Sequence, residues 1–192
     1  YCARREIGET GRAHCIALRA LVDRYMRPLQ PVLGDDGPVI VGKCEIILGV
    51  NEALLQQLQG ALATTSDACL LESVAAVARA FLTIVPFLRS YAIYCSGYFA
   101  ALGRLAKLTA DQGGTLATTI RRLEAEVAED GGAAGAAGGF ADLRLAACLI
   151  KPVQRLCRYP LLLDGLLAAL KKATGQCGRH PAIELLLQAN DK

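Results

Sequence analysis

The run Leu149-Ile-Lys-Pro-Val-Gln-Arg-Leu-Cys-Arg-Tyr-Pro-Leu-Leu-Leu163 constrains this chain more than any other feature. It sets two prolines in a segment whose apolar residues otherwise recur at helical spacing. Leu149, Val153, Leu156, Pro160, Leu163 and Leu167 step by three and four residues, which predicts one shared helical face. Lys151, Gln154, Arg155 and Arg158 step the same way along another face. A helix interior normally rejects proline, which lacks the N–H and clashes with the preceding turn. A polar, cationic stripe beside an apolar one, on a helix that tolerates two prolines, predicts a surface built to meet a partner.

The rest of the chain is also helical in pattern. Hydrophobic residues make up 53% of the 192, with only 5% aromatic. That balance, rich in Leu and Ala, favours helices over a β-sandwich. A first helix is expected from about Ala3 to Arg27, its stripe being Ile7, His14 or Cys15, Leu18, Leu21, Val22, Tyr25 and Met26, ended by Pro28, Pro31 and Gly34-Asp-Asp-Gly37. A second is expected from about Val39 to Leu62. Thr64-Thr-Ser-Asp67 offers turn and cap chemistry. A third runs from about Ala68 to Val85, with Pro86 bending or restarting it, and a fourth continues to about Leu108. Asp111-Gln-Gly-Gly114 reads as a loop, and Thr115 to Ala128 as a short helix.

The Gly/Ala-rich insertion at about 130–140 lacks side chains that could build a core and reads as flexible. One long helix is expected from Asp142 to about Lys172, and His180-Pro181 opens another. Only Pro38–Val41 has the composition of a strand. The chain opens at Tyr1 without an initiator Met and stops at Lys192 inside a periodic apolar run. The expectation is a single domain over 1–192, excised from a longer protein, with its C-terminal helix truncated.

Several function classes are excluded or disfavoured. A net charge of +3 from 21 basic and 18 acidic residues is too mild to argue for nucleic acid. The apolar stretch around Leu70–Leu88 carries Glu72, Arg79 and Pro86, whereas a membrane span needs about 20 largely uninterrupted apolar residues. It reads as a buried helix, and no membrane insertion is expected. The eight cysteines form no C-x-x-C pair, and only His14 and His180 could join them, so no metal site is expected. Reduced thiols packed as small hydrophobes fit a cytoplasmic protein. Gly37-Pro-Val-Ile-Val-Gly-Lys-Cys44 nearly spells a phosphate loop, but Cys44 stands where a Ser or Thr hydroxyl must hold magnesium. No cofactor is expected. Neither histidine belongs to a nucleophile–base pair, so covalent catalysis is not expected either.

The segment 149–163 resembles the third conserved region of the Dbl-homology domain, the exchange module of guanine nucleotide exchange factors for Rho-family GTPases. Arg5-Glu-Ile-Gly-Glu-Thr10, followed by Leu18, Leu21, Tyr25, Met26, Pro28 and Leu29, is similar to the first conserved region. Val85-Pro-Phe-Leu-Arg-Ser-Tyr-Ala-Ile-Tyr-Cys-Ser-Gly-Tyr98 resembles the middle one. The resemblance runs from about residue 4 to the end. It implies an all-α, elongated helical bundle that promotes GDP release from a Rho-family small GTPase by remodelling switch I, switch II and the magnesium site. It also implies a following pleckstrin-homology domain in the parent chain and recruitment to membranes through other domains.

Residue by residue, Glu6 matches the family's glutamate that contacts switch I; on sequence alone it reads as an acid complementing a helix dipole. Glu9 matches a second family acid. Arg158 falls where the family usually has a lysine that reaches switch II. Ile150 and Gln154 match GTPase-facing positions, with Cys157 beside them where many members carry a larger aliphatic residue. Gly11 departs from the family's usual glutamate. The family's asparagine of the final helix should fall beyond Lys192, so Asn190 is not assigned that role. The competing expectation is a helical interaction scaffold, or an inactive domain of this kind, that binds a partner without exchange.

Overall fold

Ile7, His14, Cys15, Leu18, Leu21, Val22, Tyr25 and Met26, the stripe expected on the first helix, are all buried. In the computed structural model, which describes residues 2–63, 70–134, 144–173, 184 and 187–188, this stripe lies on α1 (Cys2–Ala20) and on a π turn, Leu21–Met26, that continues it. The chain then runs through α2 (Arg27–Leu33), a 3-10 turn at Gly34–Asp36, α3 (Gly37–Val41), α4 (Cys44–Leu62) and α5 (Leu70–Ile84). A second 3-10 turn, Val85–Leu88, leads into α6 (Arg89–Leu108), followed by α7 (Thr115–Ala134), α8 (Leu145–Leu149) and α9 (Lys151–Ala173). Every element among the described residues is helical, so the fold class is all-α.

Prolines explain most departures from the expected boundaries. Pro28 does not end the first helix, because the wide π turn before it places the ring in the first turn of α2, where the missing N–H costs nothing. The helix ends instead at Gly34, with φ +52°, a backbone state that favours glycine. Pro38–Val41 is not a strand: Pro38 opens α3, which buries Ile40 and leaves Val39 exposed. Gly42, at φ +56°, ends it, so the second long helix starts at Cys44 rather than Val39. Pro86 seeds the 3-10 turn. The expected single helix from Asp142 breaks at Ile150, and Pro152 falls in the first turn of α9. The short helix from Thr115 runs further than Ala128, to Ala134. Thr64–Asp67, the rest of the Gly/Ala run and the His180-Pro181 start lie outside the described residues.

The chain forms two compact units. The first is drawn from Tyr1–Cys15, Gly49–Arg89 and Gln154–Lys192. Its core joins Ile7 of α1, Leu54 and Leu58 of α4, Val74, Val77, Phe81 and Ile84 of α5, and Tyr159, Leu163, Leu166 and Leu170 of α9. Each such side chain contributes about 1.5–3 kcal/mol when fully buried. By length and composition alone, Leu71–Leu108 contains a window apolar enough to cross a membrane. Its α5 portion finds its apolar partners in this core. Ser73 is buried and donates its hydroxyl to the Ala61 carbonyl at 2.7 Å.

The second unit comprises Ile16–Leu48 and Ser90–Val153. Here α2 and the π turn pack against α7, and the π turn also meets α8. Glu124 on α7 accepts the Leu145 N–H at 3.0 Å, satisfying an orphan donor at the start of α8. The Tyr94 hydroxyl donates to the Leu149 carbonyl at 2.7 Å, at the other end of α8. Burial raises the Tyr94 pKa above the ordinary phenol value. Cys44, hydrogen-bonded to Tyr94, is pushed up to about 12, chiefly by burial. The position that nearly completed a phosphate loop is thus a packed thiol, and Gly42-Lys43 is a helix stop.

Two outcomes follow from this packing. A Cβ at Gly11 would meet Arg155 Nη2 and Leu55 Cδ1 at 3.6 Å, ordinary contact. Gly11→Ala should therefore stabilise α1 by up to about 1 kcal/mol and raise Tm by about 2–4 °C in a calorimetric melt. Tyr94→Phe leaves the buried Leu149 carbonyl without that donor and should cost about 1–2 kcal/mol in urea unfolding.

Candidate functional site

Burial on α9 follows Pro152, Arg155, Tyr159, Leu163, Leu166 and Leu170, a stripe at three- and four-residue steps. It is rotated from the expected apolar face. Leu163 belongs to both, but Val153, Leu156 and Leu167 are only half-buried and Pro160 is exposed. The reason is that Arg155 and Tyr159 face the core, each with a polar group satisfied there. Arg155 was expected on the solvated cationic stripe; its side chain is instead 4% exposed.

Arg155 Nη1 donates to Thr10 Oγ1 at 3.0 Å. The same hydroxyl donates to the Glu6 carbonyl at 2.7 Å. The guanidinium lies 4.8 Å from the centroid of the Tyr159 ring, within cation–π range. The Tyr159 hydroxyl donates to Asn51 Oδ1 at 2.8 Å, and its ring meets Phe81 edge-on at 5.3 Å. One buried side chain of α9 is thereby tied to α1 directly, and to α4 and α5 through Tyr159. No signal in the sequence distinguished Arg155 from its charged neighbours, because spacing alone cannot tell a solvated arginine from one whose partner is 145 residues away.

The candidate residues sit around this anchor. On α1, Glu6 and Glu9 are exposed, and Arg5 Nε pairs with Glu9 Oε1 at 2.7 Å. On α9, Gln154, Cys157 and Arg158 are exposed at helical spacing. Gln154 precedes the buried Arg155 directly, and Arg158 follows it by one turn. Thr10 is one turn from Glu6 and adjacent to Glu9. The structure thus brings five of the six candidates to the solvent side of two helices joined at Arg155–Thr10. Ile150, the sixth, is half-buried and lies in the second unit, at the break between α8 and α9. Leu161, 69% exposed, extends the face of Cys157 and Arg158 by another turn.

Cys15, Cys44 and Cys148 are buried, Cys95 is half-buried and Cys157 is exposed. Chemically, the site offers carboxylates, an amide, a guanidinium and an apolar rim. Groups of this kind can pair with a protein surface by charge and hydrogen bonding.

The chain is 28% identical over 167 residues to the mouse pleckstrin homology domain-containing family G member 2, covering 84% of this chain and 11% of that protein. It is 27% identical over 188 residues to the human protein of the same name, covering 95% of this chain and 12% of that one. The chain therefore spans about a tenth of the curated relatives it matches. Among solved structures, Vav1 inhibited by an allosteric inhibitor superposes with a TM-score of 0.74 at 24% identity, over 99% of this chain and 43% of that chain. A Vav1 exchange-factor structure that concerns its PH and C1 domains gives 0.70 at 25%, over 99% and 45%. These likenesses establish the helical fold. The model of the RhoGEF domain matches residues 3–189, nearly the whole length, and the chain belongs to that family.

Proposed function

We propose that this chain is a guanine nucleotide exchange factor for a Rho-family small GTPase, acting without covalent chemistry. The observation that carries the reading is the exposure of Glu6 and Glu9 on α1 and of Gln154, Cys157 and Arg158 on α9, two helices tied together by Arg155 and Thr10. Membership of the RhoGEF domain family supports it.

The mechanism is linkage. A factor that binds the nucleotide-free GTPase better than the loaded one must weaken nucleotide binding by the same ratio. A 10⁴-fold loss of nucleotide affinity requires differential binding of about 5.5 kcal/mol. Glu6 engages switch I, and Arg158 with Gln154 engages switch II, holding a conformation in which the magnesium site is distorted. Cys157 supplies apolar contact beside Gln154 and Arg158, and Ile150 is a further GTPase-facing position by its match to the family. Arg158, where the family usually has lysine, delivers its charge as a planar fork with more than one donor. The proposal includes a pleckstrin-homology domain elsewhere in the parent chain, as the relatives' name has it. It also includes a cytoplasmic location, with recruitment to membranes through other domains.

The test is stimulated release of fluorescent GDP from a panel of Rho-family GTPases. Glu6→Ala and Arg158→Ala should each slow release by at least about tenfold, because breaking a charge pair desolvated at an interface costs about 2–5 kcal/mol. Full activity in the double variant would contradict the residue assignment. A wild-type chain that retains nucleotide-depleted GTPase in a pull-down but releases no GDP would be a binding scaffold instead.

A further inference from the structure

We infer that Arg155 and Thr10 form a positioning pair that sets the register of α1 on α9, and with it the spacing between Glu6 and Arg158. The inference rests on the exchange reading above and assigns the pair a part in it.

A threonine hydroxyl has one proton to give and lone pairs to accept with. Here the proton goes to the Glu6 carbonyl at 2.7 Å, and Arg155 Nη1 approaches the same oxygen at 3.0 Å. The backbone of Glu6 and the guanidinium of α9 therefore meet on one atom. Sliding either helix by one residue would move it about 1.5 Å and rotate it about 100°, breaking the contact. Arg155 cannot follow such a slide, since its guanidinium is held against the Tyr159 ring, which is itself fixed by Asn51 and Phe81.

Stability alone does not account for this arginine. Its side chain is 4% exposed, and its Nε has no hydrogen-bond partner among the described residues. A buried charge is an expensive way to fill a core, and an apolar side chain of similar volume often does so at lower cost. What an apolar side chain cannot do is specify one register by a directed hydrogen bond.

The decisive variant is Thr10→Val, which keeps the branched shape and removes the hydroxyl. Stimulated GDP release should slow by at least about tenfold, the scale of one lost interface contact, while Tm stays within a few degrees of wild type. Thr10→Ser, which restores the hydroxyl, should recover release. The effect should also disappear in a Glu6→Ala background, because a residue that acts by placing Glu6 has nothing left to place. Should Thr10→Val lower Tm severely, Arg155→Lys takes its place: a cation that can reach Thr10 but cannot reproduce the planar stacking should slow release without unfolding the chain. Wild-type release by Thr10→Val, or losses that simply multiply when it is combined with Glu6→Ala, would overturn the positioning role and leave the exchange reading intact. A wild-type chain that stimulates no Rho-family GTPase would overturn both.

Discussion

The first unit is organised around a charge in a place where charge is costly. Arg155 is buried among the helices of this unit, and its Nε has no hydrogen-bond partner among the described residues. Its compensation comes from a hydroxyl on α1 and from the face of an aromatic ring on its own helix. That ring carries the linkage onward to Asn51 on α4 and Phe81 on α5. Such a network is conditional. Each partner is satisfied only while the others stay in place, and a buried polar group left alone costs about 1–3 kcal/mol. The apolar cluster of Ile7, Leu58, Phe81 and Leu166 supplies most of the driving force for this unit. It would tolerate small slips between helices, which the hydrogen bond at Thr10 does not.

Prolines set the boundaries of the elements by a single rule: the ring is admitted where a helix has no use for the N–H. Pro28, Pro38, Pro86 and Pro152 all fall in the first turn of their elements. Pro31 and Pro160 break the rule, lying inside α2 and α9, and both rings are exposed. An interior proline costs about 3 kcal/mol or more. In α9 that cost is offset by the buried stripe on the opposite side, which runs uninterrupted past Pro160 from Tyr159 to Leu170. The exposed side, by contrast, carries Cys157, Arg158 and Leu161 around the proline. A helix that gives up a backbone hydrogen bond on its outer face is held in place by its inner one.

What could be read from the sequence, and what could not, follows the range of the forces involved. The α1 stripe was legible apart from the choice between His14 and Cys15, both of which are buried, because periodicity reports burial faithfully where the members are apolar. On α9 the same reading misplaced the buried face, because Arg155 and Tyr159 bury polar groups whose partners lie on distant helices and Pro160 counts as apolar while facing water. Pro38–Val41 looked like a strand from its β-branched residues, yet a proline at the start and glycines at both ends close it into one short helix. The Pro28 boundary was missed because a π turn leaves no mark in composition. Among the candidate site residues, Glu6, Glu9, Gln154 and Arg158 carried only weak intrinsic signals, and it was resemblance that singled them out. Leu161 and the Arg155–Thr10 link needed coordinates, since exposure and a contact between residues so far apart in the chain are tertiary facts.

Exposed and buried charge do different work in this chain. On the exchange reading, Glu6 and Arg158 must change partners during each cycle, from water to GTPase and back, so they have to remain hydrated in the free protein. A charge desolvated without a partner would instead destabilise the free protein. Placement is the opposite problem: a residue that fixes geometry should not exchange partners at all, and burial ensures that. Arg155 sits between Gln154 and Arg158 in the sequence but faces inward where they face outward. The turn of α9 that offers a charge to a partner is therefore the same turn that is fastened to α1. On that reading, binding energy is not spent on ordering the two helices, which leaves more of it to appear as affinity for the GTPase.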